Sequence, residues 1–169
     1  MKISTSRRIA RPLASLTVLA MCAFAPTSWA ADVSYDFSVC THSRTTLIEG
    51  SPDLVAFGVE SWGVVSTSTT KEWENATTRC VGYVRIVNGK PVGKGVCRWL
   101  HATGDTAVGE WEMPASGSNT FTWMAGTAKL KGIQGGGSFQ TISQARAFEA
   151  GTGQSCRHDW GKYTVPAAG

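Results

Sequence analysis

Glu110, Glu112 and His101 carry the side chains that proton transfer requires. The two glutamates lie two residues apart, which places them on the same face of a β-strand, and His101 comes from the preceding segment. Burial in an apolar cavity raises the pKa of a carboxyl group toward neutral pH, where it can act as a general acid or base. We therefore expect Glu110, with Glu112 or His101, to be catalytic if this face lines a cavity, in a reaction that needs no cofactor.

The same three residues also have a structural interpretation. A one-residue bulge would turn both glutamates into solvent, because side chains alternate between the two faces of a strand. A pair of inward polar residues can equally form a hydrogen-bonded network, and His101, next to a turn, can lie exposed at the end of its strand. Both interpretations stay open on the sequence alone.

Apolar side chains near these residues provide a surface for a ligand. Trp99 offers a flat aromatic wall for an unsaturated molecule. Val84, Ile86 and Val108 extend the same face. These four residues predict a cavity that binds a small hydrophobic molecule.

Motifs for nucleophilic, phosphate or metal chemistry are absent from the sequence. There is no GxSxG elbow and no Walker loop, and the triple glycine at 135–137, interpreted as a turn entering a strand, lacks the strand-to-helix context of a phosphate loop. No two cysteines have CxxC spacing, and His42, His101 and His158 are scattered. We therefore expect neither a metal nor a cofactor, and hydrolase activity is disfavoured.

The strongest local signal is a hairpin centred on Asn88-Gly89, a dipeptide typical of a two-residue type I′ turn. Counting outward from the turn places Cys80 opposite Cys97 at a non-hydrogen-bonded pair, where the Cα atoms are close enough for a disulfide. The sequence therefore predicts a Cys80–Cys97 bridge.

The same count, continued through a turn at residues 103–104, assigns the faces of the next strand. It aligns Trp99 with Val108 and Cys97 with Glu110, which puts all the candidate site residues on the cysteine face. The opposite face carries four cations, which belong in water because burying each would cost several kcal/mol: they are Arg85, Lys90, Lys94 and Arg98. The cysteine face is therefore the predicted interior.

Two aromatic residues, Tyr83 and Trp111, fall between the cations on the predicted outer face. Exposed aromatic side chains among charged ones are typical of a contact surface. A structural or oligomeric interaction module is therefore a further functional hypothesis, beside a ligand-binding barrel and an enzyme that uses acid–base chemistry.

Residues 1–30 have the pattern of a signal peptide cleaved after Ala30, which leaves a single domain at 31–169. A basic start is followed by an apolar core at 13–25, too short to span a membrane, and by small residues before the cleavage point. Twin-arginine and lipoprotein versions of this leader fit less well. No other segment is long and apolar enough to span, so we expect a soluble protein that is secreted or periplasmic.

Removing the leader changes the charge balance and the cysteine count. Its four ionisable residues are all basic, so the 16 Lys and Arg fall to 16 − 4 = 12, equal to the 12 Asp and Glu. A neutral domain offers no basic surface for nucleic acid. Loss of Cys22 leaves four cysteines in an oxidising compartment, and once Cys80 pairs with Cys97, elimination pairs Cys40 with Cys156.

Short runs of β-branched and aromatic residues, separated by glycine and polar turns, predict an all-β domain. Eight strands joined mainly by tight turns predict a single up-and-down antiparallel barrel, in which the first and last strands pair. We place the strands at about 33–42, 53–65, 80–87, 91–101, 106–113, 120–127, 136–144 and 155–165. A Cys40–Cys156 bridge would then link the first strand covalently to the last one. The one long connection, 66–79, is either a lid or a solvated loop with Trp73 packed.

The segments GDTAVGEWE and FTWMAGTAKLKGIQGGGSF, within residues 104–139, resemble the strand-turn-strand signature of the allene oxide cyclase-like and dirigent-like barrel superfamily. In this relaxed form of the turn, Gly126 and Gly132 would supply positive φ or close backbone approach. The ending CRHDWGKYTVP is also similar to uncharacterised exported bacterial proteins of this kind. The resemblance implies a barrel with an apolar central cavity, sometimes trimeric, that controls ring closure or radical coupling without a metal. The resemblance thus permits a cofactor-free cyclase or isomerase acting on an unsaturated small molecule, but it transfers no catalytic residue.

Overall fold

Eight strands and two short 3₁₀ turns make up the computed structural model, which describes residues 32–51 and 54–167. The strands are β1 Asp32–Gly50, β2 Val55–Ser68, β3 Thr77–Val87, β4 Lys90–Leu100, β5 Thr106–Met113, β6 Thr120–Gly126, β7 Gln134–Ala145 and β8 Thr152–Thr164. The 3₁₀ turns are η1 Lys71–Trp73 and η2 Ala128–Leu130. The expected signal peptide at 1–30 and its cleavage site lie outside the described residues.

The strands form a closed antiparallel barrel in chain order, as expected. β1 and β8 close it through 13 residue pairs, from Asp32 opposite Thr164 to Arg44 opposite Thr152. Closure leaves no free edge along this seam, since every strand has two neighbours. Within the described residues, no helix has the length and apolar character needed to cross a lipid bilayer.

Both expected disulfides are confirmed. Cys80 lies opposite Cys97 in the β3–β4 ladder, and Cys40 lies opposite Cys156 in the β1–β8 ladder. Asn88 and Gly89 both have positive φ, 51° and 74°, as a type I′ turn requires. Two disulfides are consistent with an oxidising compartment.

Strict alternation on β1 defines the interior of the barrel. Tyr35, Phe37 and Val39 are almost completely buried, so odd positions of β1 point inward and Cys40 points outward. The ladder carries this alternation to β8, where Cys156 is also on the outer side. The Cys80–Cys97 bridge, by contrast, is buried in the core, at 6% and 0% exposure.

Aromatic side chains fill one end of the barrel, which we call the aromatic plug: Tyr35, Phe37, Trp73, Trp99, Phe121, Trp123 and Tyr163. Trp73 comes from the loop between β2 and β3 and is fully buried, stacked on Trp123 with ring centroids 4.8 Å apart. The long connection is therefore a loop with one packed tryptophan. Leu130 and Ile133, from the connection between β6 and β7, are also buried.

The connection between β6 and β7 follows the expectation drawn from the resemblance. Gly132 has a φ of +76°, and a side chain at Gly126 would overlap the backbone of Leu130. The triple glycine differs, because residues 135–137 lie inside β7 and pair with β8. Its interpretation as a turn before the strand is wrong, because the strand begins earlier, at Gln134.

Candidate ligand-binding site

The register between β4 and β5 differs by one residue from the expected one. The structure pairs Trp99 with Ala107 and Cys97 with Gly109, instead of with Val108 and Glu110. Five residues, 101–105, connect the strands, and a hydrogen bond of 2.9 Å from the His101 amide to the Asp105 carbonyl closes them. Because the side-chain period of a strand is two, this one-residue difference reverses every side chain of β5.

Glu110 and Glu112 therefore lie on the outer face, and their expected position on the cavity wall is wrong. Glu110 forms an ion pair with Lys94 of 2.8 Å, and Glu112 is exposed. The Glu110 carboxylate raises the pKa of Lys94 by hydrogen bonding to it. Val108 is also turned outward, away from the predicted ligand wall.

The same register difference places Trp111 on the inner face of the barrel. Expected on the outer face, it is 7% exposed and lines the interior. Its indole lies against Gly82 and Gly95, and a Cβ at Gly95 would come within 2.6 Å of the ring. Because glycine has no side chain, these two positions leave room for the indole inside the barrel. The sequence therefore accommodates Trp111 on the inner face, although we expected it on the outer face.

His101 is buried at the end of the barrel that holds the aromatic plug. Its ring meets Trp73 edge-on, with centroids 4.3 Å apart, and its Nε2 has no hydrogen-bond partner. Burial lowers the pKa of His101, against smaller opposing effects of Asp105 and Glu72. The three expected acid–base residues are thus not brought together, since His101 is inside and the two glutamates are outside.

The remaining expected ligand residues are on the inner face. Val84 is buried and lines a pocket, Trp99 is buried in the aromatic plug, and Ile86 is half-buried further along β3. Of the four expected ligand residues, three therefore face inward and Val108 does not.

The pocket occupies the end of the barrel opposite the plug and has a volume of about 180 Å³. Its apolar wall contains Val59, Val84, Trp111, Met113 and Phe139. Its polar wall contains Thr41, Ser43, Ser61, Thr141, Ser155 and Arg157. Thr141 is exposed, so the pocket reaches solvent at this end.

The hydroxyl groups of the polar wall are only weakly engaged by the protein. Thr41 Oγ1 donates to the Ser155 carbonyl at 3.3 Å, and Ser43 Oγ donates to the Gly153 carbonyl at 3.3 Å. These are long for O–H···O hydrogen bonds, which are commonly about 2.7–2.8 Å. The hydroxyl oxygens therefore keep acceptor capacity for a bound molecule.

Arg157 and Asp159 form a buried ion pair at the floor of this pocket. They lie two residues apart on β8, and Arg157 Nε donates to Asp159 Oδ2 at 3.0 Å. Their side chains are 16% and 5% exposed. Of the two, Arg157 lines the pocket, and Asp159 lies one step deeper in the barrel.

Each member of this pair keeps one unsatisfied polar atom. Arg157 Nη2 and Asp159 Oδ1 are buried without a hydrogen-bond partner. The guanidinium lies near the rings of Phe139, at 5.1 Å, and Trp99, at 5.8 Å. Burial raises the pKa of Asp159, and the Arg157 charge and hydrogen bond oppose that rise. Burial also raises the pKa of Tyr35, which Asp159 raises further.

Neither Arg157 nor Asp159 was among the site residues expected from the sequence. A usable signal was present. Tyr35 and Phe37 mark the odd positions of β1 as inward, so Cys40 must point outward, and so must Cys156 opposite it. Arg157 and Asp159, at odd positions of β8, then have to point inward.

Metal ligation has no support within residues 32–51 and 54–167, where no three His, Cys, Asp or Glu side chains come together as a site. No protein-family model and no curated protein matches the sequence.

Solved structures similar to this chain include two pterocarpan synthase dirigent proteins. GePTS1 has 11% identity and a TM-score of 0.49, with 83% of this chain and 97% of that chain covered. PsPTS1 has 8% identity and a TM-score of 0.47, with 85% and 99% covered. At these levels the similarity transfers no ligand, residue role or activity to this chain.

Proposed function

We propose that this protein is an exported barrel that binds a small amphiphilic molecule in its pocket, with the polar end of the molecule on Arg157. The observation that carries the proposal is the Arg157 guanidinium, which lines a partly apolar pocket and keeps one buried donor, Nη2, without a partner. An unpaired buried donor costs about 1–3 kcal/mol. A ligand oxygen that accepts a hydrogen bond from the guanidinium would offset that cost.

The volume of the pocket limits the size of the ligand. About 180 Å³ is close to the ~150 Å³ of an apolar cavity that holds benzene. One ring, or a short branched chain, fits the enclosed part. Any larger portion has to extend through the mouth into solvent.

The apolar and polar walls of the pocket limit the chemistry of the ligand. Trp111, Val84 and Met113 favour an apolar or unsaturated body, whereas Ser61 and Ser155 face it with hydroxyl groups. A carboxylate, phenolate or carbonyl oxygen suits Arg157, because charge-assisted hydrogen bonds are about twice as strong as neutral ones. The ligand class is therefore a small ring or chain with an oxygen acceptor at one end.

The test has two steps. Native mass spectrometry of the protein purified from its own host is expected to show a retained small molecule. Calorimetric titration is then expected to show tighter binding of benzoate than of toluene. Replacing Asp159 and Arg157 together, as Arg157→Met with Asp159→Asn, should weaken benzoate binding about tenfold or more relative to Asp159→Asn alone.

Two controls make the result specific. Arg98→Met removes an exposed cation from the outer face and should leave benzoate binding unchanged. Toluene binding should be nearly equal in all variants, because it does not use the guanidinium. Equal affinity of the unmodified protein for benzoate and toluene would contradict the role of Arg157.

A cofactor-free cyclase or isomerase is a second candidate, favoured by the raised pKa of Asp159 beside the pocket floor. A carboxyl whose pKa is raised by burial has the chemistry of a general acid or base, and Asp159, 3.0 Å from Arg157, would act on a substrate that reaches past the guanidinium. Turnover of an unsaturated substrate that survives Asp159→Asn unchanged would eliminate this candidate.

Self-association through the outer face of β3 and β4 is a third candidate. Val81, Tyr83, Val96 and Leu100 are exposed there, at 51%, 48%, 38% and 43%. A groove of about 590 Å³ follows these strands. Light scattering is expected to show an oligomer that Val81→Glu dissociates, and a monomer at high concentration would contradict it.

A further inference from the structure

We propose that the two hairpin tips beside the pocket mouth dock on a lipid surface, from which the barrel takes up or to which it delivers its ligand. The β1–β2 tip comprises residues 45–50 at the end of β1, Ser51, Leu54, and Val55 at the start of β2, and the β7–β8 tip comprises residues 146–151. The nature of the cargo rests on the proposed function, but the docking does not.

The tips lie side by side at the open end of the barrel. Pairing of β1 with β8 ends at Arg44 opposite Thr152, and the Thr45 amide then donates to the Gly151 carbonyl at 2.7 Å. Beyond that point β1 continues to Gly50 with β2 as its only neighbour. The β1–β2 tip therefore projects past the barrel beside the β7–β8 tip.

Both tips expose large apolar side chains to solvent. Phe148 is 92% exposed, Leu47 67% and Ile48 65%. Ile48 lies at a bulge, where the register passes from Leu47 opposite Phe57 to Glu49 opposite Ala56. Such exposure on both sides of a projecting strand has no function in packing, and clustered apolar exposure marks a binding surface.

The backbone holds these side chains in place. At the β7–β8 tip, the Thr152 amide and hydroxyl both donate to the Glu149 carbonyl, at 3.1 and 2.8 Å. At the other tip, the Ser51 amide donates to the Leu54 carbonyl at 2.9 Å. These hydrogen bonds thus fix the described backbone on which the exposed apolar side chains of each tip are carried.

Convex tips fit a fluid lipid surface better than a rigid protein partner. Single side chains that protrude from two separate hairpins enter the boundary between headgroups and acyl chains without a matching groove. The sequence of the two tips, with Arg44 beside them, carries two cations and three anions, so it has no cationic excess: Arg44, Arg146, Glu49, Asp53 and Glu149. Binding should therefore depend on the apolar side chains and little on anionic lipid.

The position of the tips connects this surface with the pocket. Thr41 and Ser43 of the pocket wall precede the β1–β2 tip on β1, and Ser155 follows the β7–β8 tip on β8. With both tips in the lipid, the mouth faces the membrane. A hydrophobic molecule then passes between bilayer and pocket without crossing open water.

The test is flotation of the protein purified in its processed form from its own host, with phosphatidylcholine vesicles and with vesicles that also contain phosphatidylglycerol. We expect binding to both, with little change on adding salt. Phe148→Ser, and Leu47→Ser with Ile48→Ser, should each lower the partition coefficient about tenfold or more. Met124→Ser, which removes an exposed apolar side chain from β6, should leave it unchanged.

The outcomes separate docking from ligand binding. Arg157→Met with Asp159→Asn should float like the unmodified protein, and Phe148→Ser should still bind benzoate in solution. Failure of the unmodified protein to float would overturn the proposal even if the pocket binds ligand. An equal loss in Met124→Ser, or binding abolished by salt, would overturn it too. Near-ultraviolet circular dichroism checks that each variant is folded.

Discussion

Asp159 and His101 are two buried ionisable residues at different depths of the same barrel, and burial favours the neutral form of each. Asp159 has Arg157 beside it, and the attraction of that charge opposes the effect of burial on its pKa. His101 has the Trp73 ring against it and no hydrogen bond at Nε2. Its environment therefore offers little compensation for a positive charge.

The histidine makes folding stability depend on pH with a defined sign. Burial lowers the pKa of His101 below its ordinary 6.5, so the unfolded chain takes up a proton on this residue at a higher pH than the folded one. The free energy of unfolding should then fall as the pH is lowered below about 6.5, and it should level off above that value. Urea unfolding at a series of pH values measures this slope.

His101→Asn should flatten the slope, because it removes the group that titrates. His42→Asn serves as the matched control, since His42 is exposed on the outer side of β1, and it should keep the slope of the unmodified protein. An unchanged slope in His101→Asn would show that other groups cause the dependence.

At the scale of elements, connections of defined geometry were predictable and the others were not. Asn88-Gly89 specifies a two-residue turn, so the pairing of Cys80 with Cys97 followed by counting. The connection at 101–105 carries no such signal. Its length depends on the bond between the His101 amide and the Asp105 carbonyl, and on Thr103 Oγ1 donating to Asp105 at 3.0 Å.

The same dependence on the connections between strands explains which residues of the candidate site could be predicted. The fold class, both disulfides and the inner faces of β3 and β4 were predictable, because alternation and cysteine pairing constrain them. Glu110 was misplaced because it lies beyond the uncertain connection. Arg157 was missed although Cys156, next to it, carried the needed information. The packing of Trp73 against four other strands depends on contacts distant in sequence, which no local pattern specifies.

The loop between β2 and β3 contributes to stability through one side chain. Trp73 is fully buried and contacts the rings of Trp123, Trp99 and His101. Trp73→Ala should lower the free energy of unfolding by about 3–5 kcal/mol, as is typical of a large side chain removed from a core. Trp62→Ala, on the outer face and 37% exposed, should cost much less. Equal losses in the two variants would show that the loop merely covers the barrel end.

At the scale of the whole molecule, the two disulfides cross-link different parts of the barrel. Cys40–Cys156 joins residues 116 apart on the outer side of the seam, and Cys80–Cys97 joins residues 17 apart within the core. In the chain-entropy model the longer link stabilises the fold by about 5 kcal/mol and the shorter by about 3 kcal/mol. The link with the larger contribution is thus also the more accessible one.

Accessibility should determine the order of reduction. With a mild thiol reductant under native conditions, we expect Cys40–Cys156 to be reduced first, and Cys80–Cys97 only once the barrel opens. Alkylation followed by peptide mass spectrometry identifies the cysteines released at each time. Simultaneous release of all four would mean that opening of the barrel precedes every reduction.

The aromatic plug has a consequence for kinetics. Within residues 32–51 and 54–167, it fills the end of the barrel opposite the pocket mouth, so the proposed ligand would enter and leave through the same opening. A second molecule cannot push the first one out from behind. Exchange between two ligands should therefore proceed at the dissociation rate of the resident molecule, whatever the concentration of its competitor. The pocket is thus closed at one end and does not form a channel through the barrel.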